Sequence, residues 1–104
     1  MIARIWKGRT KPEHFEEYTT FMKKRAIPDY KNTEGFVKLT FLRRKDEDYA
    51  YFELITFWEN MEVIKNFAGE DAESAKYYTE DKQYLIDFPE KVTHYEVFGD
   101  SSFF

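Results

Sequence analysis

Residues Tyr49 to Trp58, YAYFELITFW, decide how the rest of the chain folds. The polar run Lys45-Asp46-Glu47-Asp48 precedes them and Glu59-Asn60 follows, a turn before and a helix start after. Aromatic and β-branched residues dominate the stretch, the composition of a strand. Its alternating sets are Tyr49, Tyr51, Glu53, Ile55, Phe57 and Ala50, Phe52, Leu54, Thr56, Trp58, and neither is polar enough to face water throughout. Both sides need cover. One layer of helices covers one face of a sheet, so the second face calls for another subunit or a ligand.

The flanking segments supply the rest of that sheet. Met1 to Arg9 alternates Ala3 and Ile5 with Ile2, Arg4 and Trp6, a first strand whose small aliphatic side suits packing under a helix, leaving Arg4 and Trp6 on the outward side. Thr10 and Pro12 are placed to start a helix, and Phe15, Tyr18, Met22 and Ala26 form its apolar stripe. Pro28 predicts its end, because Ile27 is steered out of the α region by the proline after it. Phe36 to Arg44 is a second strand, turned by Lys45 to Asp48 into the central one. Asn60 caps a second helix whose inward residues are Met61, Ile64, Phe67 and Ala68, with Gly69 as its break. Helical spacing resumes over Glu70 to Tyr78, Glu80 to Ile86 reads as a short turn or helix, and Lys91 to Gly99 is the last strand. Residues 100–104 are expected to fray unless Phe103 and Phe104 dock on a partner. The order β-α-β-β-α-β predicts a single α+β domain over 1–104, a ferredoxin-like split βαβ with a four-stranded antiparallel sheet and helices on one face.

Composition narrows the function classes. The 104 residues suffice for one core that buries roughly 65% of the unfolded surface. There is no cysteine, hence no disulfide framework, thiolate nucleophile or cysteine-ligated metal. No secretory leader or membrane-spanning apolar run is visible, so the expectation is a soluble cytoplasmic protein that does not engage a membrane. A net charge of −4, with Lys23-Lys24-Arg25 as the one basic cluster, gives no reason to expect nucleic acid. The 11 Phe, 8 Tyr and 2 Trp are a heavy aromatic load that one core can absorb.

Met1-Ile-Ala-Arg-Ile-Trp6, the Lys11-Pro12-Glu13 helix start, Gly35 before the hairpin, Phe57-Trp58-Glu59, and Phe67-Ala-Gly-Glu-Asp71 followed by Ala75-Lys-Tyr-Tyr78 resemble the antibiotic biosynthesis monooxygenase family, from Met1 to about Val97. The resemblance implies a dimeric α+β barrel, a homodimer in which two ferredoxin-like sheets pack face to face, with an aromatic pocket between sheet and second helix. Members include cofactor-free oxygenases of anthrones, quinol monooxygenases, haem degraders and isomerases. Many catalytic members carry a histidine on the second helix where this chain has Phe67. Haem degraders use a strand-one asparagine, a tryptophan at that helix position and a histidine where this chain has Tyr77, so the imidazole iron ligand is missing.

The implied activity is that of an oxidoreductase, a monooxygenase acting without metal or flavin on a small aromatic or quinol-like molecule and dioxygen. The alternatives are a non-catalytic small-molecule-binding or stress-response protein of the same fold, or an isomerase on it. Such chemistry needs a base, an anion-stabilising donor or cation, and an apolar cavity. His94 is the candidate base, against the alternative of a structural strand histidine; His14, beside Glu13 and Glu17, reads as surface. Tyr77 and Tyr78 are candidate phenolic donors, or amphipathic packing residues. Arg4 is a candidate anion-orienting residue, or half of a buried ion pair with Glu53; Arg43 is a rival at a strand end. Trp6, Trp58, Phe67 and Glu53 are candidate substrate-binding residues, the tryptophans reading equally as core or interface. No Gly-rich phosphate loop or metal-ligand spacing is present in the sequence.

Overall fold

The computed structural model describes residues 1–101. The chain runs β1 (Ile2–Thr10), α1 (Phe15–Lys31), β2 (Phe36–Lys45), β3 (Ala50–Trp58), α2 (Met61–Ala68) and β4 (Thr93–Glu96), with short 3-10 turns at Pro12–His14 and Thr79–Gln83. The strands form one four-stranded antiparallel sheet in the order β2-β3-β1-β4. This is the expected α+β ferredoxin-like plan. Phe103 and Phe104, expected to fray or dock, lie outside the described residues.

β3 organises the core as its two-faced pattern requires. Ala50, Phe52, Leu54, Thr56 and Trp58 are all buried beneath the helices, while Tyr51, Glu53, Ile55 and Phe57 are half-buried on the open face. Tyr18, Met22, Ala26 and Tyr30 of α1 close over the buried set. Asn60 begins α2 as its sequence suggests, its Oδ1 accepting the Val63 N–H at 3.1 Å, and Gly69 ends it at φ +95°.

Several expectations are corrected. α1 does not stop before Pro28 but continues through it to Lys31. An interior proline costs about 3 kcal/mol, yet Lys24 and Pro28 face solvent, so the carbonyl left without a partner meets water. The extra turn delivers Tyr30 to a buried place, stacked on Phe67 at 4.6 Å and edge-on to Trp58 at 6.0 Å. Burial of such a ring contributes about 1.5–3 kcal/mol, and each aromatic contact about 0.5–1.5 more, enough to offset the proline.

Residues 70–78 are not helical. Ala75 N–H donates to Glu90 O and Val92 N–H to Glu73 O, and a Ser74–Lys91 bridge holds the segment extended beside residues 90–92. The Ala72 and Ala75 spacing is too short a pattern to outweigh those backbone bonds. β4 is shorter than expected: it pairs with β1 from Ile2–Glu96 to Ile5–Thr93, and residues 90–92 bond to residues 73–75 instead.

The faces of β1 are also inverted relative to expectation. Arg4 lies opposite Thr56 and Trp6 opposite Leu54, so Ile2, Arg4 and Trp6 point under the helices, while Ala3, Ile5 and Lys7 face the open side. Lys7, not Arg4, is the register partner of Glu53, and the proposed Arg4–Glu53 ion pair does not exist because the sheet separates them. Trp6 finds room because Gly8 lies on the same side without a side chain: a Cβ there would sit 2.3 Å from the indole ring. A cavity lies against Arg4 and Trp6 on this side of β1.

Candidate functional site

That cavity, ≈ 40 Å³, is bounded by Arg4 and Trp6 of β1, Phe67 of α2, Tyr18 and Tyr30 of α1, and Tyr77 and Tyr78 of the extended segment, with Lys76 and Asp81 among the other lining residues. Space of this size admits a few waters. The structure therefore brings Arg4, Trp6, Phe67, Tyr77 and Tyr78 together from three separate parts of the chain. Trp58 is fully buried core, its Nε1–H donating to Thr56 Oγ1 at 2.8 Å, and does not line the cavity. Glu53 is on the opposite face of the sheet. His94 lies beside the cavity rather than in its wall, as the register partner of Arg4 across β1 and β4.

Arg4 is the unusual member. It is 3% exposed, and its Nη2 donates to Ser74 O at 2.8 Å. Its Nε has no hydrogen-bond partner, and among the described residues no carboxylate forms an ion pair with it. Burial holds its pKa below the ordinary value, with Tyr30 pulling the other way, and a guanidinium stays charged in a protein regardless. His94 Nε2 is buried without a partner as well. Burial first, then the Arg4 charge, lowers the pKa of this imidazole, favouring the neutral base.

The tyrosines are held as neutral phenols. Burial raises Tyr77, Tyr78 and Tyr18 above the usual phenol value, and pushes Tyr30 up to about 12. Their hydroxyls are also engaged. Tyr77 donates to Pro89 O and accepts the Trp6 indole N–H at 3.3 Å, and Tyr78 donates to Asp29 Oδ2. Tyr18 donates to Asp81 Oδ1 at 2.9 Å, while Tyr78 N–H meets Asp81 Oδ2 at 2.7 Å. Burial raises the Asp81 pKa, and these two donors oppose the shift. The two tyrosine–aspartate links tie the segment around residues 77–85 onto α1. Sequence reading missed Tyr18, Tyr30, Lys76 and Asp81 as cavity residues. Tyr18 sits on the α1 stripe, but nothing in the spacing separates a core tyrosine from a cavity wall.

The other candidates are placed elsewhere. Arg43 is exposed, donating to Glu16 Oε1 at 2.8 Å over the Phe15 ring. His14 lies at 3.6 Å from Glu17 at the start of α1. Among the described residues no group of His, Asp or Glu is placed to hold a metal ion, and no helix is long and apolar enough to cross a membrane. A second hollow of ≈ 530 Å³ opens towards the uncovered face, lined by Lys7, Arg9, Arg44, Tyr51, Glu53 and Asp87 among others.

The arrangement defines an α+β domain with a cationic, aromatic-walled cavity beneath its helices. Solved structures share its fold. A Bacillus cereus protein described as a candidate antibiotic biosynthesis monooxygenase superposes with a TM-score of 0.67 at 16% identity, covering 96% of this chain and 95% of its own. The haem degrader MhuD of Mycobacterium tuberculosis, with two haems in its active site, gives 0.64 at 20% identity, covering 96% and 98%. A variant of MhuD with two manganese protoporphyrin IX molecules per active site gives 0.61 at 17%, covering 96% and 97%. At these identities the likeness establishes a shared fold across nearly the whole chain. No protein-family profile matches the sequence, and no curated protein does.

Proposed function

We propose that this chain is a member of the antibiotic biosynthesis monooxygenase family, a homodimer that oxygenates a small aromatic or quinol-like molecule without metal or flavin. The observation that carries the reading is the convergence on one cavity of an uncompensated guanidinium and a wall of aromatic rings, with an unpartnered imidazole beside it. Cofactor-free oxygenation begins with loss of a substrate proton, which makes the molecule electron-rich enough to react with dioxygen. Arg4 would hold the resulting oxyanion, Trp6 and Phe67 would flank the ring, and neutral His94, beside the cavity and not in its wall, would accept the proton through a bridging water. The phenols, already committed as donors, hold the wall in place.

Haem, which one of the MhuD structures contains, does not suit these residues. Tyr77 is a neutral phenol spent on Pro89 O, and no imidazole lines the cavity to serve as an iron ligand. The homodimer rests on the open sheet face, where Ile5, Ile55 and Phe57 are half-buried and Leu42 and Tyr95 remain 48% and 56% exposed. A second copy of the same sheet is the remedy.

The test is oxygen uptake by chelator-treated protein over a panel of anthrones and hydroquinones, comparing wild type with His94→Ala and Arg4→Gln. Uptake that collapses in both variants supports the proposal. Uptake indifferent to both, or none across the panel, favours a second reading that the narrowness of the cavity itself suggests: a non-catalytic binding protein of the same fold.

A further inference from the structure

A charge withdrawn from water without a counter-ion costs several kcal/mol. Folded proteins retain such a group when something else completes it. Arg4 is in this position: nearly full burial, one neutral carbonyl acceptor, an idle Nε–H, and the Phe67 ring 5.9 Å from its guanidinium carbon. Lys76, on the extended segment, adds a second cation at the same cavity, its Nζ 4.3 Å from the Phe67 ring centre. The one carboxylate in the wall, Asp81, is spoken for by Tyr18 and the Tyr78 N–H. The cavity therefore presents positive charge, an unused donor and flat apolar surfaces, and its one carboxylate is already hydrogen-bonded.

We infer that Arg4, assisted by Lys76, is an anion-recognition site, and that the ligand of this cavity is a planar organic oxyanion, an aromatic carboxylate or the enolate or phenolate of an aromatic ketone or phenol. The inference deepens the small-molecule reading above and rests on it, but not on oxygen chemistry. A guanidinium donates through Nε and Nη in a fixed fork that matches two oxygens of a carboxylate or a single oxyanion. With one Nη2 N–H on Ser74 O, the other N–H groups of the guanidinium are the donors left to the ligand. Trp6 and Phe67 supply faces for an aromatic body, and the exposed Lys76 places the second cation at the solvent side of the cavity.

The experiment is calorimetric titration of the full chain with sodium benzoate and with benzamide, close in shape and differing in charge, at matched ionic strength. Benzoate is expected to bind about tenfold more tightly than benzamide. Arg4→Gln is expected to reduce that preference below about threefold, while Arg9→Gln, which alters an arginine paired with Asp87 on the other side of the sheet, leaves it intact. If Arg4→Gln does not fold, the wild-type Arg4 Nε–H resonance serves instead: it moves on adding benzoate and not benzamide. Equal affinities, a preference that survives Arg4→Gln, a resonance indifferent to benzoate, or no benzoate binding up to its solubility limit would overturn the inference. Benzoate binding through Arg4 with no oxygen uptake on any quinol would sink the oxygenase reading and leave the anion site standing. Uptake by a protein with no anion preference would do the reverse.

Discussion

Replacing Arg4 by methionine should make the protein more stable while emptying its cavity of charge. The two side chains are similar in length, and methionine is flexible enough to fill the space without forcing its neighbours. The wild-type residue is 3% exposed and has no ionic partner, so its removal relieves a desolvation cost of several kcal/mol. What is lost is the Nη2 bond to Ser74 O, about 1.5–3 kcal/mol for a bond to a charged group. Ser74 is only half-buried, so water can replace the donor. The balance is a gain of about 2 kcal/mol, and for a domain of this size each kcal/mol is worth about 4–8 °C, hence a rise of roughly 8–16 °C in Tm. Scanning calorimetry at neutral pH and equal protein concentration measures it. Adding benzoate should raise the wild-type Tm and leave the variant unmoved. A variant that melts several degrees lower than wild type would show that the guanidinium is held for structure, and the argument from an uncompensated charge would fail.

Two further outcomes follow from the same geometry. His94 is held below its ordinary value of 6.5 by burial and by Arg4. As pH falls through 6.5 the unfolded chain takes up a proton that the folded chain refuses, so stability present at neutral pH is lost on acidification towards the lower folded value. Wild type should therefore lose stability relative to His94→Gln as pH falls from about 7 to about 5 in denaturant titrations, and a constant difference would show that His94 is unperturbed. Asp81, raised instead, runs in the opposite direction, and comparison with His94→Gln cancels it. On the open face, Ile55→Asp puts a charge among the residues proposed to meet a second sheet. Light scattering should read twice 12.7 kDa for wild type and 12.7 kDa for the variant, whereas a monomeric wild type would leave that face unexplained.

The parts of this fold legible in the sequence are those where one local signal acts alone. The two-faced reading of Tyr49–Trp58, the Asn60 cap and the Gly69 stop each depend on the residue and its neighbours, and each is present in the structure. The misreadings occur where a distant contact outweighs a local preference. Pro28 is a helix breaker until Tyr30 finds Phe67 and Trp58; Ala72 and Ala75 suggest a helix until residues 90–92 offer backbone partners.

The candidate site divides in the same way. Composition and resemblance singled out Arg4, Trp6, Phe67, Tyr77 and Tyr78, which the structure gathers around one cavity, together with His94, Trp58 and Glu53, which it leaves outside the cavity wall. Sequence alone determined the four-stranded α+β plan and the aromatic chemistry available to it, because alternation and caps are written in neighbouring residues. Only the tertiary structure decided that Arg4 points under the helices rather than towards Glu53. A strand shows two faces of equal standing, and the choice between them is made by the partner across the sheet, here Thr56 and the buried row it belongs to.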